Sequence, residues 1–110
     1  MTSLVPADLS GPSAVYRIFF GRELLYIGYA RDVYKRMAEH ARLSPWWPPL
    51  GRGITHTAEW FASRDEAALA EAIAIVRENP RHNKRRDRYR WVGGEVIDLA
   101  TCPLPTPIPS

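Results

Sequence analysis

The chain has 110 residues, 45% of them hydrophobic and 25% charged, which suits one compact globular domain and excludes a disordered chain. A single cysteine, Cys102, excludes a disulfide framework and a cysteine-built zinc site, and no apolar run nears the roughly 20 residues of a membrane span. The net charge of +3 is unevenly spread: residues 1–80 carry nine basic and nine acidic side chains, whereas residues 81–90 carry six basic ones against Asp87 alone.

Residues 1–13 contain Pro6, Gly11 and Pro12 without periodicity and read as a flexible leader. Ala14–Phe20 is rich in β-branched and aromatic residues and reads as a strand, Gly21-Arg22-Glu23 as a short turn, and Leu24–Tyr29 as a second strand. Asp32 is a fitting N-cap for a helix from Val33 to about Arg42. Ser44–Gly53, with its prolines, glycines and the Trp46-Trp47 pair, reads as a loop, with the tryptophans favoured as a lid on the core over a nucleic-acid contact. Thr55–Ala62 reads as a third strand. Ser63 and Glu66 form a capping box that opens a helix to about Asn79, which Pro80 closes. Trp91–Ala100 reads as a short strand or a docked segment, and PLPTPIPS, with proline at every second position, as an extended tail.

The expected fold class is therefore α+β: a small three-stranded antiparallel sheet flanked by helices, in the order β-β-α-β-α. Residues 14–90 would form the domain, including a basic arm at 81–90, and residues 91–110 a C-terminal segment with its proline-rich tail. The start MTSLVPADLS lacks the basic and apolar regions of a signal peptide, so a cytoplasmic location away from membranes is expected. The basic arm suggests a polyanion as partner, most simply nucleic acid.

On the first helix, Val33, Met37 and Ala41 form an apolar stripe that should face the sheet, and Arg36 and His40, four apart, share one flank beside it. On the second, Leu69, Ala72, Ile73 and Val76 define the expected buried face, which leaves Glu71 as a surface carboxylate. Tyr16 and Tyr26 read singly as packing residues on paired strands, and Gly28 as a close backbone approach. His56 and His82 lack partners that would argue for a metal site.

Taken together, these positions carry more. Ala14-Val15-Tyr16, ten residues from one tyrosine to the next, and Tyr26-Ile27-Gly28 resemble the paired motifs of the GIY-YIG nuclease family. Arg36 stands eight residues after Gly28, His40 four after Arg36, Glu71 nine before Pro80, and Pro80-Arg81-His82-Asn83 is similar to the family's closing Pro-x-x-Asn. The resemblance covers about residues 14–83 and includes the β-β-α-β-α order. Trp46-Trp47-Pro48 and Arg64-Asp65-Glu66-Ala67 also look like small stand-alone members of that family, of an actinobacterial or phage kind. One departure is visible: Ala-Val-Tyr stands where the family has Gly-Ile-Tyr.

The resemblance implies a metal-dependent endonuclease acting on DNA phosphodiesters, with RNA as a further possible substrate. Glu71 would hold one Mg²⁺ or Mn²⁺, which waters and phosphate oxygens complete. Arg36, always charged and planar, would grip phosphate. Tyr16 is the candidate general base, although with an ordinary pKa of ~10 it needs a neighbouring cation to help it ionise or a metal-bound water to act through. Tyr26 and His40 would orient or relay protons, and which of the three takes the proton is left open. Gly28 and Asn83 would be structural, Asn83 tying the chain back near the site. Lys84, Arg85, Arg86, Arg88 and Arg90 would track phosphates beside it. Sequence preference would have to come from a protein partner or self-association. The alternative is a non-catalytic nucleic-acid-binding or partner-binding module on the same fold; an adaptor built on the proline-rich tail is the weakest reading.

Overall fold

The computed structural model describes residues 11–47 and 52–109. Most of the expected leader, residues 1–10, and the middle of the proline-rich loop, residues 48–51, lie outside the described residues.

Strands β1 (Ser13–Phe20) and β2 (Glu23–Ala30) form an antiparallel hairpin. Gly21 turns it at φ 61°, a conformation that side chains resist. Helix α1 (Val33–Leu43) starts on Asp32, whose carboxylate accepts the Lys35 N–H at 3.0 Å. Strand β3 (Ile54–Phe61) pairs antiparallel with β1, so the sheet order is β2-β1-β3 and β1 is central. Helix α2 (Arg64–Glu78) starts on Ser63, which accepts the Glu66 N–H at 3.2 Å and donates to the Glu66 carboxylate at 3.3 Å. It ends on Asn79 in the left-handed region (φ 49°), with Pro80 buried behind it. The protein is thus a small α+β fold with a three-stranded antiparallel sheet and two helices. Among the described residues, no helix is long and apolar enough to cross a membrane.

Alternation along β1 divides the core. Val15 shares one face with Ile27 and Phe61, and Ala67, Ala70, Ala74 and Ile75 of α2 pack there. Ala14, Tyr16 and Ile18 share the other face with Leu25 and with Val33 of α1; Met37, Trp46 and Trp47 close over them. Arg17 joins the layers: it donates two hydrogen bonds to Glu78 at the end of α2, at 2.9 and 2.6 Å, and one to Glu59 on β3 at 3.1 Å.

Two expectations about the helices need correction. Leu69, Ala72, Ile73 and Val76 do not pack on the sheet; they meet Leu99 and Cys102 of the C-terminal segment. The sheet-facing side of α2 is mostly alanine, which lets the helix approach closely but carries little hydropathy signal. Ala41, expected in the buried stripe of α1, is exposed because that helix touches the sheet mainly through its N-terminal half.

The C-terminal segment also differs from a single strand. It contains a second antiparallel hairpin, β4 (Tyr89–Val92) and β5 (Glu95–Asp98), closed by Gly93 and Gly94 at φ 58° and 83°. Two consecutive residues with positive φ are the requirement of a two-residue hairpin turn whose twist matches its strands. The expected boundary after residue 90 therefore falls inside β4. Leu99, fully buried against Ala72 and Ile73, roots the hairpin on α2. Arg77 reinforces it by donating to the Leu99 and Cys102 carbonyls. The proline-rich tail is extended, and the Ile108 N–H donates to the Trp60 carbonyl on the open edge of β3 at 2.7 Å.

Candidate active site

Tyr16 sits at the middle of β1, opposite Gly28 of β2, and its side chain is fully buried. A Cβ at Gly28 would overlap the Tyr16 hydroxyl, so the glycine provides the space in which the phenol lies across β2. The hydroxyl reaches His40 Nε2 at 2.9 Å, and His40 Nδ1 reaches Ser44 Oγ at 2.8 Å. Tyr26 stacks against Tyr16 with ring centres 6.2 Å apart and lies 4.7 Å from the His40 ring. The helical spacing of α1 brings Arg36 beside Tyr16, where its guanidinium acts on the phenol.

Burial governs the proton chemistry here. It pushes the Tyr16 pKa up to about 12, outweighing Arg36, which pulls in the opposite direction. The cation expected to help Tyr16 ionise is present, yet the free phenol stays protonated. Tyr26 is likewise raised by burial and then by the negative charge of Glu71. His40 is lowered, first by burial and then by Arg36, so its imidazole is neutral at pH 7. Arg36 can only donate toward the Tyr16 oxygen, so we assign the Tyr16 proton to the bond with Nε2, leaving Nδ1–H to donate to Ser44.

Glu71 is not the surface carboxylate its helix position suggests. Its side chain is only 11% exposed, on a helix that packs against β1 and β2. Burial raises its pKa, and Arg86 and Arg90 oppose that rise. Arg86 Nη2 donates to Glu71 Oε1 at 3.1 Å.

An open groove of about 640 Å³ runs along β2 between the helices, lined by Tyr26, Gly28, Arg36 and Glu71 among others. Arg31, Lys35 and Arg64 also line it, against Asp32 and Glu39. In the sequence, Arg64 reads only as part of its helix start, and Arg31 and Lys35 are not singled out; the signal the three share is position, at the starts of the two helices. The arm after Pro80 divides. Lys84 and Arg85 border a separate cleft of about 460 Å³ at the end of α2. Arg86 reaches Glu71, Arg88 makes two 2.7 Å bonds to Asp98, and Arg90 acts on Glu71 through its charge.

Asn83 holds the arm in place. Its side chain accepts from the Ile27 N–H and donates to the Ile27 carbonyl, each at 2.8 Å, on the open edge of β2. Arg81 and His82 add backbone bonds to Leu24 and Leu25 at 3.2 and 2.8 Å. Trp46, read from the sequence as part of a lid on the core, walls the site. Trp46 stacks between Tyr26 at 5.6 Å and His82 at 5.2 Å, and packs 5.4 Å from His40. Ser44, the partner of His40, also went unremarked; its signal is the four-residue spacing just past the helix end. Among the described residues, no group of three or more His, Cys, Asp or Glu side chains gathers to hold a metal ion. No family model, curated protein or solved structure matches the chain.

Proposed function

We propose that the protein is a nucleic-acid phosphodiesterase, an endonuclease of the GIY-YIG type acting on DNA in the cytoplasm, with RNA as an alternative substrate. The observation that carries this reading is convergence: Tyr26, Arg36 and Glu71, from three elements, line one groove, and the fully buried Tyr16 and its partner His40 pack against Tyr26. The sandwich order supports it in the same sense.

The groove fits a hydrated divalent cation. Glu71 contributes a mostly buried carboxylate that lines the groove, with Oε1 accepting from Arg86. Mg²⁺ ordinarily takes one or two carboxylates and fills its other positions with water and phosphate oxygens. Bound at Glu71, such an ion would supply positive charge against the phosphate and the departing oxygen. Arg36 would grip the non-bridging phosphate oxygens, with Lys35 and Arg64 adding to the field. Tyr16 would accept a proton from the attacking water as it passes its own to His40 Nε2, so the phenol never carries a full charge in its buried site. Ser44 would hold His40 in the receiving tautomer. Trp46 would keep bulk water from Tyr26 and His40. Selection of a cleavage sequence would fall to a partner or a second copy.

The test is nicking of supercoiled plasmid with Mg²⁺, Mn²⁺ or EDTA, beside Glu71→Ala and Arg36→Ala. Metal-dependent nicking that both substitutions remove, in proteins that still fold, supports the reading. DNA retention in a gel with no nicking under either metal replaces it with the binding module.

A further inference from the structure

Outside the groove, the hairpin β4–β5 carries an aromatic surface that the fold does not use. Successive side chains of a strand alternate in face, so Tyr89 and Trp91 share one side of the ribbon and Arg90 the other. Arg90, on the other face, is less exposed, and its charge is felt at Glu71. Tyr89 and Trp91 lie on the opposite face at 59% and 73% exposure, with Val96, cross-strand from Trp91, at 56%. A ring pinning the tail to the domain would be covered; these are among the most exposed large hydrophobic side chains of the described residues.

The ribbon is nevertheless held firmly. A lone two-stranded hairpin is marginal in water. Here the Leu99 N–H donates to the Arg88 carbonyl at 2.7 Å, and the buried Leu99 side chain ties the base to α2. Arg88 grips Asp98 across the strands and lies 5.5 Å from the centre of the Tyr89 ring. A rigid support presents two aromatic rings to solvent, about 7 Å apart along the strand.

We propose that this face is a stacking platform for the unpaired bases of single-stranded nucleic acid, a proposal that rests on the nucleic-acid reading above. Charge selects this occupant. The ribbon overlaps a decade with six basic residues against one acid. Arg81, Arg86 and Arg88 are paired with Glu23, Glu71 and Asp98, while Lys84, Arg85 and Arg90 make no ion pair among the described residues. With Glu95 and Asp98 counted, residues 81–98 keep a net charge of +3 that attracts a polyanion. Ring chemistry then selects the strandedness, because a duplex keeps its base faces stacked inside whereas an unpaired strand offers them to Tyr89 and Trp91.

The experiment is fluorescence anisotropy of a labelled oligothymidine strand and of a duplex of equal length, in EDTA, across a salt series. Trp91→Ala should weaken single-strand binding about tenfold or more, leave duplex binding within about twofold, and keep the salt slope, because stacking releases no counterions. Trp91→Phe should restore most of the loss, and unchanged melting curves should show that both variants fold. Unaltered single-strand affinity in Trp91→Ala overturns the proposal, as does equal loss on both nucleic acids. Sedimentation showing a dimer that Trp91→Ala dissociates overturns it in favour of a contact between copies. Because the assay contains chelator and reads binding alone, a protein that never nicks plasmid can pass it, and one that nicks can fail it.

Discussion

Arg86 answers the charge of Glu71. Its guanidinium lies 3.1 Å from a carboxylate that α2 has carried out of water, and it comes from an arm held to β2 by backbone bonds, Asn83 and the Arg81–Glu23 ion pair. Removing it leaves a mostly buried carboxylate without its partner. We expect Arg86→Gln to cost about 1–2 kcal/mol at pH 7, between the values for surface and buried pairs. The sign of the pH dependence follows from Glu71. Burial raises its folded pKa, so the folded state binds the proton more tightly and stability falls as pH rises through that range. The deficit of Arg86→Gln should therefore shrink as pH falls toward Glu71 protonation. Urea melts at several pH values check this, and a deficit independent of pH contradicts it.

The hydrogen bond from Tyr16 to His40 separates packing from chemistry. Tyr16→Phe keeps the ring in the core, so stability should change by about 1 kcal/mol or less. Nicking should fall by about a hundredfold or more, in the range of a lost proton-transfer group. Difference spectra of the wild type should show one tyrosine ionising only near a pKa of about 12. A phenolate appearing at ordinary tyrosine pH would contradict the buried donor.

His40 should set the acid limb of activity. Its pKa is lowered by burial and then by Arg36, so the neutral, proton-accepting imidazole persists below the ordinary value of ~6.5. Activity should therefore hold through mildly acidic pH and drop below it, and His40→Gln should remove that limb. Stability should move the same way, because below the unfolded pKa the unfolded chain takes up a proton that the folded imidazole refuses. NMR titration of the imidazole and a pH–rate profile test the two halves separately.

Gly28→Ala should be costly despite its small size. The added methyl overlaps the Tyr16 hydroxyl and crowds its ring carbons, so either the strands part or the phenol leaves His40. We expect a loss of about 1–3 kcal/mol, typical of overpacking. Combining it with Tyr16→Phe should recover only part, since the ring carbons remain in conflict. A double-mutant cycle by thermal melting measures the coupling.

Leu99→Ala should cost about 2–5 kcal/mol, as other buried leucines do. The same change at exposed Leu104 should be nearly neutral. Equal melting temperatures for the two variants would show that the C-terminal segment is not part of the core.

Much of this architecture is legible in the chain, and the reasons are local. The caps at Asp32 and Ser63, the turn at Gly21 and the stop at Pro80 are short-range signals, and each marks an observed element end. Periodicity leaves Glu71 on the surface and the two tyrosines as packing residues; only the resemblance to the paired tyrosine motifs groups Tyr16, Tyr26, Arg36, His40 and Glu71. What the sequence concealed depends on distance. Ala67, Ala70 and Ala74 bury a face that hydropathy scores as weak, so the wrong side of α2 looked like the core face. The two strands around Gly93-Gly94 have four residues each, too few for alternation to stand out, although the glycine pair itself is a hairpin signal. Trp46 against Tyr26 and His82 joins three distant segments, so the tryptophan pair reads locally as a lid without revealing what it covers.

The tail along β3 gives the sheet a direction. Pro103, Pro105, Pro107 and Pro109 alternate with Leu104, Thr106 and Ile108, and only the residues between the prolines own an amide hydrogen. In an extended segment these hydrogens all point to one side, and Ile108 spends its own on Trp60. The side turned to solvent therefore meets an approaching strand with prolines that cannot donate. A sheet bordered in this way accepts its own tail and refuses a stranger's, so shortening the chain before Pro103 should be felt as turbidity before it is felt as unfolding.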